Sequence, residues 1–179
     1  MEKAIFLDRD GTLVQDCGYA YSVVQYELLP LVVDGLRLLK GYFLFLVTNQ
    51  SGIGRGFYTV EDFSRFNSRL VADLRGSGVD IKKTYFCPHV PEKECSCRKP
   101  SPKFLMDAAE EFGVDLSSSF VIGDKGSDIL FGKNGGCRTI LVLTGYGEKT
   151  EGSVEPDFVA RNILDAALWI RGEDRTNDL

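Results

Sequence analysis

Asp8 and Asp10 stand two residues apart in Asp8-Arg9-Asp10-Gly11-Thr12, directly after the apolar run Ala4-Ile5-Phe6-Leu7. Two carboxylates so spaced at a strand end can share one site that also holds a cation. One can attack a phosphorus atom while the other moves protons. Gly11 lets the backbone turn sharply behind them. A D-x-D-G string also occurs in solvated turns, so the pair alone leaves both readings open.

A second cluster carries different chemistry. Cys87, His89, Cys95 and Cys97 fall within eleven residues, and His89 is the only histidine of the chain. They offer four soft or borderline ligands, the number a tetrahedral zinc takes. Clustered thiols in a reducing compartment favour a metal over disulfides. The C-x-H…C-x-C spacing differs from the usual C-x-x-C knuckle, and the plainer alternative is buried cysteines beside an incidental histidine. No ligand position is left open, so a zinc here is expected to be structural. A zinc-finger DNA module does not fit, because the helix-borne histidine pair is missing.

Short apolar runs alternate with amphipathic stretches, which predicts a parallel α/β sheet with helices on both faces. Strands are expected near residues 3–7, 42–47, 81–86, 120–123, 139–143 and 157–159. Helices are expected near 32–40, from Thr59, after Ser101-Pro102, near 127–134 and from Asn162. Asp62 follows Thr59 by three residues in capping-box fashion, and Pro102 is expected at the first helical position. Gly52, Gly54 and Gly56 lie in what reads as a flexible loop, with neither the Walker lysine nor the Rossmann glycine spacing. In such sheets, ligands collect at the carboxyl ends of strands. Asp8, Thr48, the Cys87 loop and Asp124 all fall there, so four polar clusters converge on one edge.

The bulk properties narrow the classes. The 179 residues suit one domain, expected over 1–172 with a polar tail at 173–179. A net charge of −5 without a dense basic face excludes an ordinary nucleic-acid binder. No apolar run approaches the ~20 residues of a membrane span, and the first residues do not read as a signal peptide. The expected protein is a cytoplasmic monomer whose phosphate site is built from a few local cations.

Four ordered motifs then carry a resemblance. Asp8-Arg9-Asp10-Gly11-Thr12, Thr48 within Thr48-Asn49-Gln50-Ser51-Gly52, Lys99 within Cys97-Arg98-Lys99-Pro100, and Gly123-Asp124-Lys125-Gly126-Ser127-Asp128 resemble the motifs of haloacid-dehalogenase-like phosphohydrolases. That resemblance implies Asp8 as a covalent nucleophile and Asp10 as acid and base. It implies magnesium on Asp8, the Asp10 carbonyl and Asp124, with Thr48 and Lys99 on the phosphoryl oxygens. Asp128 would support the loop.

Asp16-Cys17-Gly18-Tyr19, Gly54-Arg55-Gly56, the Cys/His loop and Leu143-Thr144-Gly145-Tyr146-Gly147 narrow the resemblance. They are similar to the D-glycero-D-manno-heptose 1,7-bisphosphate 7-phosphatase family, which serves synthesis of bacterial lipopolysaccharide core heptose or nucleotide-activated heptoses. The implied partner is a small sugar bisphosphate. The implied substrate shell is Asp16, Cys17, Gly18, Tyr19, Thr48, Asn49, Gln50, Ser51, Arg98, Lys99 and Lys125. Arg98 and Lys125 would serve the sugar and the distant phosphate. There are departures. The segment between His89 and Cys95 is short, as in histidinol-phosphate phosphatases, which are the alternative enzyme reading. Leu31 follows Pro30 where the heptose family usually has glycine, and no long insertion suggests a large cap domain. A zinc-stabilised binding module without catalysis is the alternative outside enzymes. It is disfavoured by the presence of both Asp8 and Asp10.

Overall fold

Six strands form one parallel sheet in the computed structural model, which describes residues 1–177, with side chains as far as Glu173. They are β1 (Ala4–Leu7), β2 (Phe43–Asn49), β3 (Ile81–Cys87), β4 (Phe120–Gly123), β5 (Arg138–Val142) and β6 (Phe158–Ala160), ordered β3-β2-β1-β4-β5-β6. Each agrees with a predicted strand to within two residues.

The helices are α1 (Val32–Leu38), α2 (Ser51–Gly54), α3 (Val60–Gly76), α4 (Lys103–Phe112), α5 (Gly126–Gly135), α6 (Gly147–Thr150) and α7 (Ile163–Asn177). Helix α7 thus passes residue 172, where the sequence pattern put the end of the domain. Asp178 and Leu179 lie outside the described residues.

Successive strand residues point to opposite faces, and both faces are covered. Ile5 and Leu7 of β1 join Leu44, Leu46, Ile122, Ile140, Leu36, Phe66, Leu70 and Ile170 in one layer of core. Ala4 and Phe6 join Phe45, Val47, Val121, Leu105, Ala108 and Phe131 in the other. Burial of one such Leu or Phe side chain contributes about 1.5–3 kcal/mol. This is why β1, β2 and β4 read as nearly unbroken apolar runs. The strand order reverses between β1 and β4, where Leu7 pairs with Ile122 and the Asp8 amide donates to the Ile122 carbonyl at 2.9 Å. A crevice opens at such a reversal, past the carboxyl ends of the strands.

Two local expectations need correction, and a third observation concerns Leu31. The Gly52–Gly56 stretch is not a slack loop. Ser51–Gly54 is a helical turn. A Cβ on Gly52 would overlap the Tyr58 ring, and one on Gly54 would lie 2.7 Å from the Pro88 carbonyl oxygen. Those two glycines permit close packing rather than motion. Pro102 occupies the N-cap of α4, one residue earlier than expected, because Leu105 and Met106 already donate to its carbonyl. Leu31, at the N-cap of α1, has φ +65°, alone among the described non-glycine residues in being left-handed. A left-handed leucine costs roughly 1–2 kcal/mol, which explains why glycine suits that place. The Thr59–Asp62 capping box forms as predicted, with reciprocal hydrogen bonds of 3.1 and 2.9 Å.

Candidate active site

Strand β1 ends one residue before Asp8, and β4 ends one residue before Asp124. Their adjacency in the sheet brings the two carboxylates together at the crevice. Asp128, in the first turn of α5, completes a group whose carboxylate oxygens lie within 4.8 Å of one another. All three residues are buried.

The three carboxylates differ in their partners. Asp8 accepts from Lys99 Nζ at 2.7 Å, and Asp128 pairs with the same Nζ at 2.6 Å. The other Asp128 oxygen accepts the Lys125 amide at 3.0 Å. Lys99 Nζ also donates to the Val47 carbonyl at 2.6 Å. Asp124 Oδ2 accepts the Tyr146 amide at 2.8 Å, but its Oδ1 is buried with no partner. A buried carboxylate oxygen left without a donor is costly. An oxygen-ligated divalent cation such as magnesium would satisfy it, so Asp8 and Asp124 fit that ion. Gly11 (φ +87°) and Gly145 (φ +57°) make room, since a Cβ on either would overlap the Asp124 carboxylate.

Charge sorts the acids by task. Burial pushes Asp8 upward, but the charges of Lys99 and Lys125 outweigh it and hold the group below the ordinary carboxylate range. Asp8 is therefore ionised, as a nucleophile must be. Burial, then the charge of Asp8, pushes Asp124 up to about 8. Asp10 is raised mainly by burial against the opposing charge of Arg9. A carboxyl that keeps its proton above the usual range suits a general acid.

The cavity has two parts. The inner one, of 40 Å³, is lined by Asp8, Asp10, Thr48, Asn49, Lys99, Lys125, Ser127 and Asp128. The outer one, of 230 Å³, shares Asp10, Asn49, Lys125 and Ser127 with it. Asp16, Gly18, Tyr19, Gln50, Ser51 and Arg98 bound the outer part. Of the substrate shell expected from the sequence, only the exposed Cys17 borders neither part. Lys125 pairs with Asp16 at 3.0 Å. Arg98 donates Nη1 to the His89 carbonyl at 3.2 Å and forms no carboxylate ion pair among the described residues.

Sequence reasoning missed Arg9 and Tyr58. Arg9 is fully buried, its guanidinium against the Phe63 and Phe66 rings at 5.3 and 4.5 Å, and it donates to both Asp10 oxygens. A basic residue inside D-x-D following a buried strand was the available signal. Tyr58 offered none, because its contact with Gln50 depends on how α2 turns back.

The Cys/His cluster lies beside this site. Cys97 Sγ is 3.1 Å from Cys87 Sγ, 3.9 Å from Cys95 Sγ and 3.4 Å from His89 Nδ1. All five cysteines are free. A tetrahedral zinc with bonds of ~2.3 Å needs ligand separations of roughly 3.8 Å, so the four atoms could hold one. Burial pushes the Cys87 thiol up to about 12, while backbone donors outweigh burial at Cys95 and bring it to about 7. The loop is sewn to the catalytic edge. Asn49 exchanges side-chain hydrogen bonds with the Lys99 backbone at 3.2 and 3.1 Å, and the Gln50 amide donates to the Cys87 carbonyl at 2.7 Å.

A HAD-hydrolase-like family model matches residues 96–166. The chain is 40% identical over 181 residues to D-glycero-beta-D-manno-heptose-1,7-bisphosphate 7-phosphatase of Pasteurella multocida, covering 96% of this chain and 98% of that protein. This chain belongs to the heptose-bisphosphate phosphatase family. It is thus a phosphatase of the haloacid-dehalogenase-like class. The Helicobacter pylori (strain J99) enzyme of the same name is 40% identical, over 94% of this chain and 97% of its own length. Among solved structures, the D,D-heptose 1,7-bisphosphate phosphatase of B. bronchiseptica, complexed with magnesium and phosphate, superposes with a TM-score of 0.89 at 31% identity, covering 96% of this chain and 99% of that one. No helix among the described residues is long and apolar enough to cross a membrane.

Proposed function

We propose that this phosphatase removes the 7-phosphate of D-glycero-D-manno-heptose 1,7-bisphosphate through an aspartyl-phosphate on Asp8. The observation that carries the reading is the two-part cavity. Its inner part, with Thr48 and Lys99, fits one phosphoryl group, and Arg98 and Lys125 at the outer part suit a second anion. Asp8 attacks phosphorus, the bond from phosphorus to the sugar oxygen breaks, and Asp10 gives its proton to that oxygen. Water then attacks phosphorus and loses a proton to Asp10. The bond from phosphorus to Asp8 breaks, inorganic phosphate leaves and Asp8 is restored. Asp8, Asp124 and the Asp10 carbonyl would hold magnesium, which would supply positive charge to the phosphoryl oxygens. Thr48 and Lys99 bind those oxygens as charge redistributes, while Asp128 holds Lys99.

Zinc on Cys87, His89, Cys95 and Cys97 is structural in this reading and fixes the backbone that presents Arg98 and Lys99. The thiol cluster supports a reducing, cytoplasmic setting. The reading takes a monomer, with a single domain over residues 1–172, as the acting unit. The test is phosphate release from both heptose bisphosphate anomers, other sugar bisphosphates and histidinol phosphate. Preference for the heptose substrate is expected, and faster turnover of histidinol phosphate would overturn the assignment.

A further inference from the structure

Asp10 is clamped from two sides. Arg9 Nε donates to Oδ1 at 3.1 Å and Arg9 Nη2 to Oδ2 at 2.9 Å. From just past the end of β2, Gln50 Nε2 donates to the same Oδ2 at 2.9 Å, and to Thr48 Oγ1 at 2.8 Å. Arg9 is itself fixed, since Nη2 also donates to the Ala20 carbonyl at 2.9 Å and two phenyl rings of α3 flank the guanidinium. Gln50 is held less directly, because beyond Asp10 its nitrogen reaches only the Thr48 hydroxyl, which can donate as well as accept. A primary amide can turn over and present its oxygen in place of its nitrogen. Toward Asp10 that would set acceptor against acceptor.

The Asp10 carboxylate, which only accepts, selects the nitrogen, and Tyr58 holds the amide in that orientation, its hydroxyl donating to Gln50 Oε1 at 2.5 Å. Packing in turn fixes Tyr58. Its side chain is buried, its ring stacks on Tyr21 at 4.9 Å, and Gly52 lies so close that any Cβ there would strike the ring. We infer that Tyr58 is a positioning residue that acts through Gln50 to hold the Asp10 carboxyl against Arg9, aimed at the leaving oxygen. No proton travels along this chain of contacts; it sets direction only. The inference rests on the reading that Asp10 protonates the leaving group.

The test is kcat/KM for a series of substituted phenyl phosphates of graded leaving-group pKa. It compares wild type, Tyr58→Phe, Gln50→Ala and the double variant, each with magnesium. Tyr58→Phe keeps the ring and removes only the hydroxyl. The expected loss grows with leaving-group pKa, reaching roughly tenfold for the poorest leaving group, because general-acid catalysis is worth ~10²–10⁴ and is here only misaimed. The slope of log kcat/KM against leaving-group pKa therefore becomes steeper. Gln50→Ala should steepen it in the same way, so the inference does not depend on one variant's folding. In the Gln50→Ala background, Tyr58→Phe should add nothing, since it acts through the missing amide. Equal losses along the series, or independent losses from the two changes, would overturn the inference while leaving the phosphatase reading intact. A wild type that hydrolyses no member of the series would overturn both.

Discussion

Asp8, Asp124 and Asp128 come from three elements between positions 8 and 128, whereas Cys87, His89, Cys95 and Cys97 come from one loop. The carboxylate group is fully buried, threaded by Lys99, and retains one oxygen without a partner. The thiol group is partly exposed at His89, Cys95 and Cys97, and its four ligand atoms lie within 4.8 Å of one another. The first arrangement exists because the fold exists; remove the sheet and the acids scatter. The second is a local knot that brings its own order to a loop with few apolar residues. A site that must exchange ligands needs an open position and a scaffold strong enough to hold like charges together. A site that must only hold a backbone in place can be closed.

The largest effect should come from Asp8, the proposed nucleophile. Asp8→Asn keeps the shape but replaces the carboxylate by an amide, a very poor nucleophile, so kcat should fall by roughly 10⁴-fold or more. The thermal midpoint should change little, because the relief of carboxylate repulsion offsets the lost contact with Lys99. Steady-state assay and calorimetry on one preparation check both halves.

Cys97→Ser strikes the other cluster. Zinc content, about one per chain in wild type by the four-ligand rule, should drop, and activity should fall on the order of 100-fold, as for groups misplaced by ~1 Å. Added magnesium should not restore it. A zinc-free variant with wild-type kinetics would separate the two clusters, contrary to the hydrogen bonds that join Asn49 to Lys99 and Gln50 to Cys87.

Arg98→Ala sits between the clusters. Loss of a charge-assisted contact of ~1.5–3 kcal/mol should cost about 10–100-fold in kcat/KM on the bisphosphate. An aryl monophosphate, lacking the distal anion, should lose much less. Equal losses would mean that Arg98 serves only the loop, through the His89 carbonyl.

The smallest effect is graded by pH. Burial, then the charge of Asp8, raises Asp124 to about 8, so below that value a proton competes for the carboxylate proposed to hold magnesium. The magnesium concentration for half-maximal activity should rise as pH falls from about 8, by at most about tenfold per unit for one proton. A requirement that does not change between pH 6 and 8 would argue against Asp124 as a ligand.

Much of this was legible in the sequence, for reasons that differ by region. The strands were readable because both faces of the sheet are covered, which turns β1, β2, β4 and β5 into apolar runs. Asp8, Asp124 and Thr48 were readable because each follows or ends such a run, and the zinc-loop residues because four soft or borderline ligands fall within eleven residues. The α2 turn was not, since glycines signal a loop equally well when they serve close approach to Tyr58 and Pro88. Nor was the link from Tyr58 through Gln50 to Asp10. It joins side chains that only the crossing of α2 over the strand ends brings together.

The account's central claim is regiospecific phosphate removal, and phosphorus NMR tests it most directly. The protein with magnesium would be added to each anomer of D-glycero-D-manno-heptose 1,7-bisphosphate, and the two phosphoester signals followed separately. The 7-phosphate signal should convert to inorganic phosphate while the 1-phosphate signal persists, and Asp8→Asn protein should leave both untouched. Loss of the 1-phosphate first, or two unchanged signals with magnesium- and zinc-replete wild type, would contradict the account.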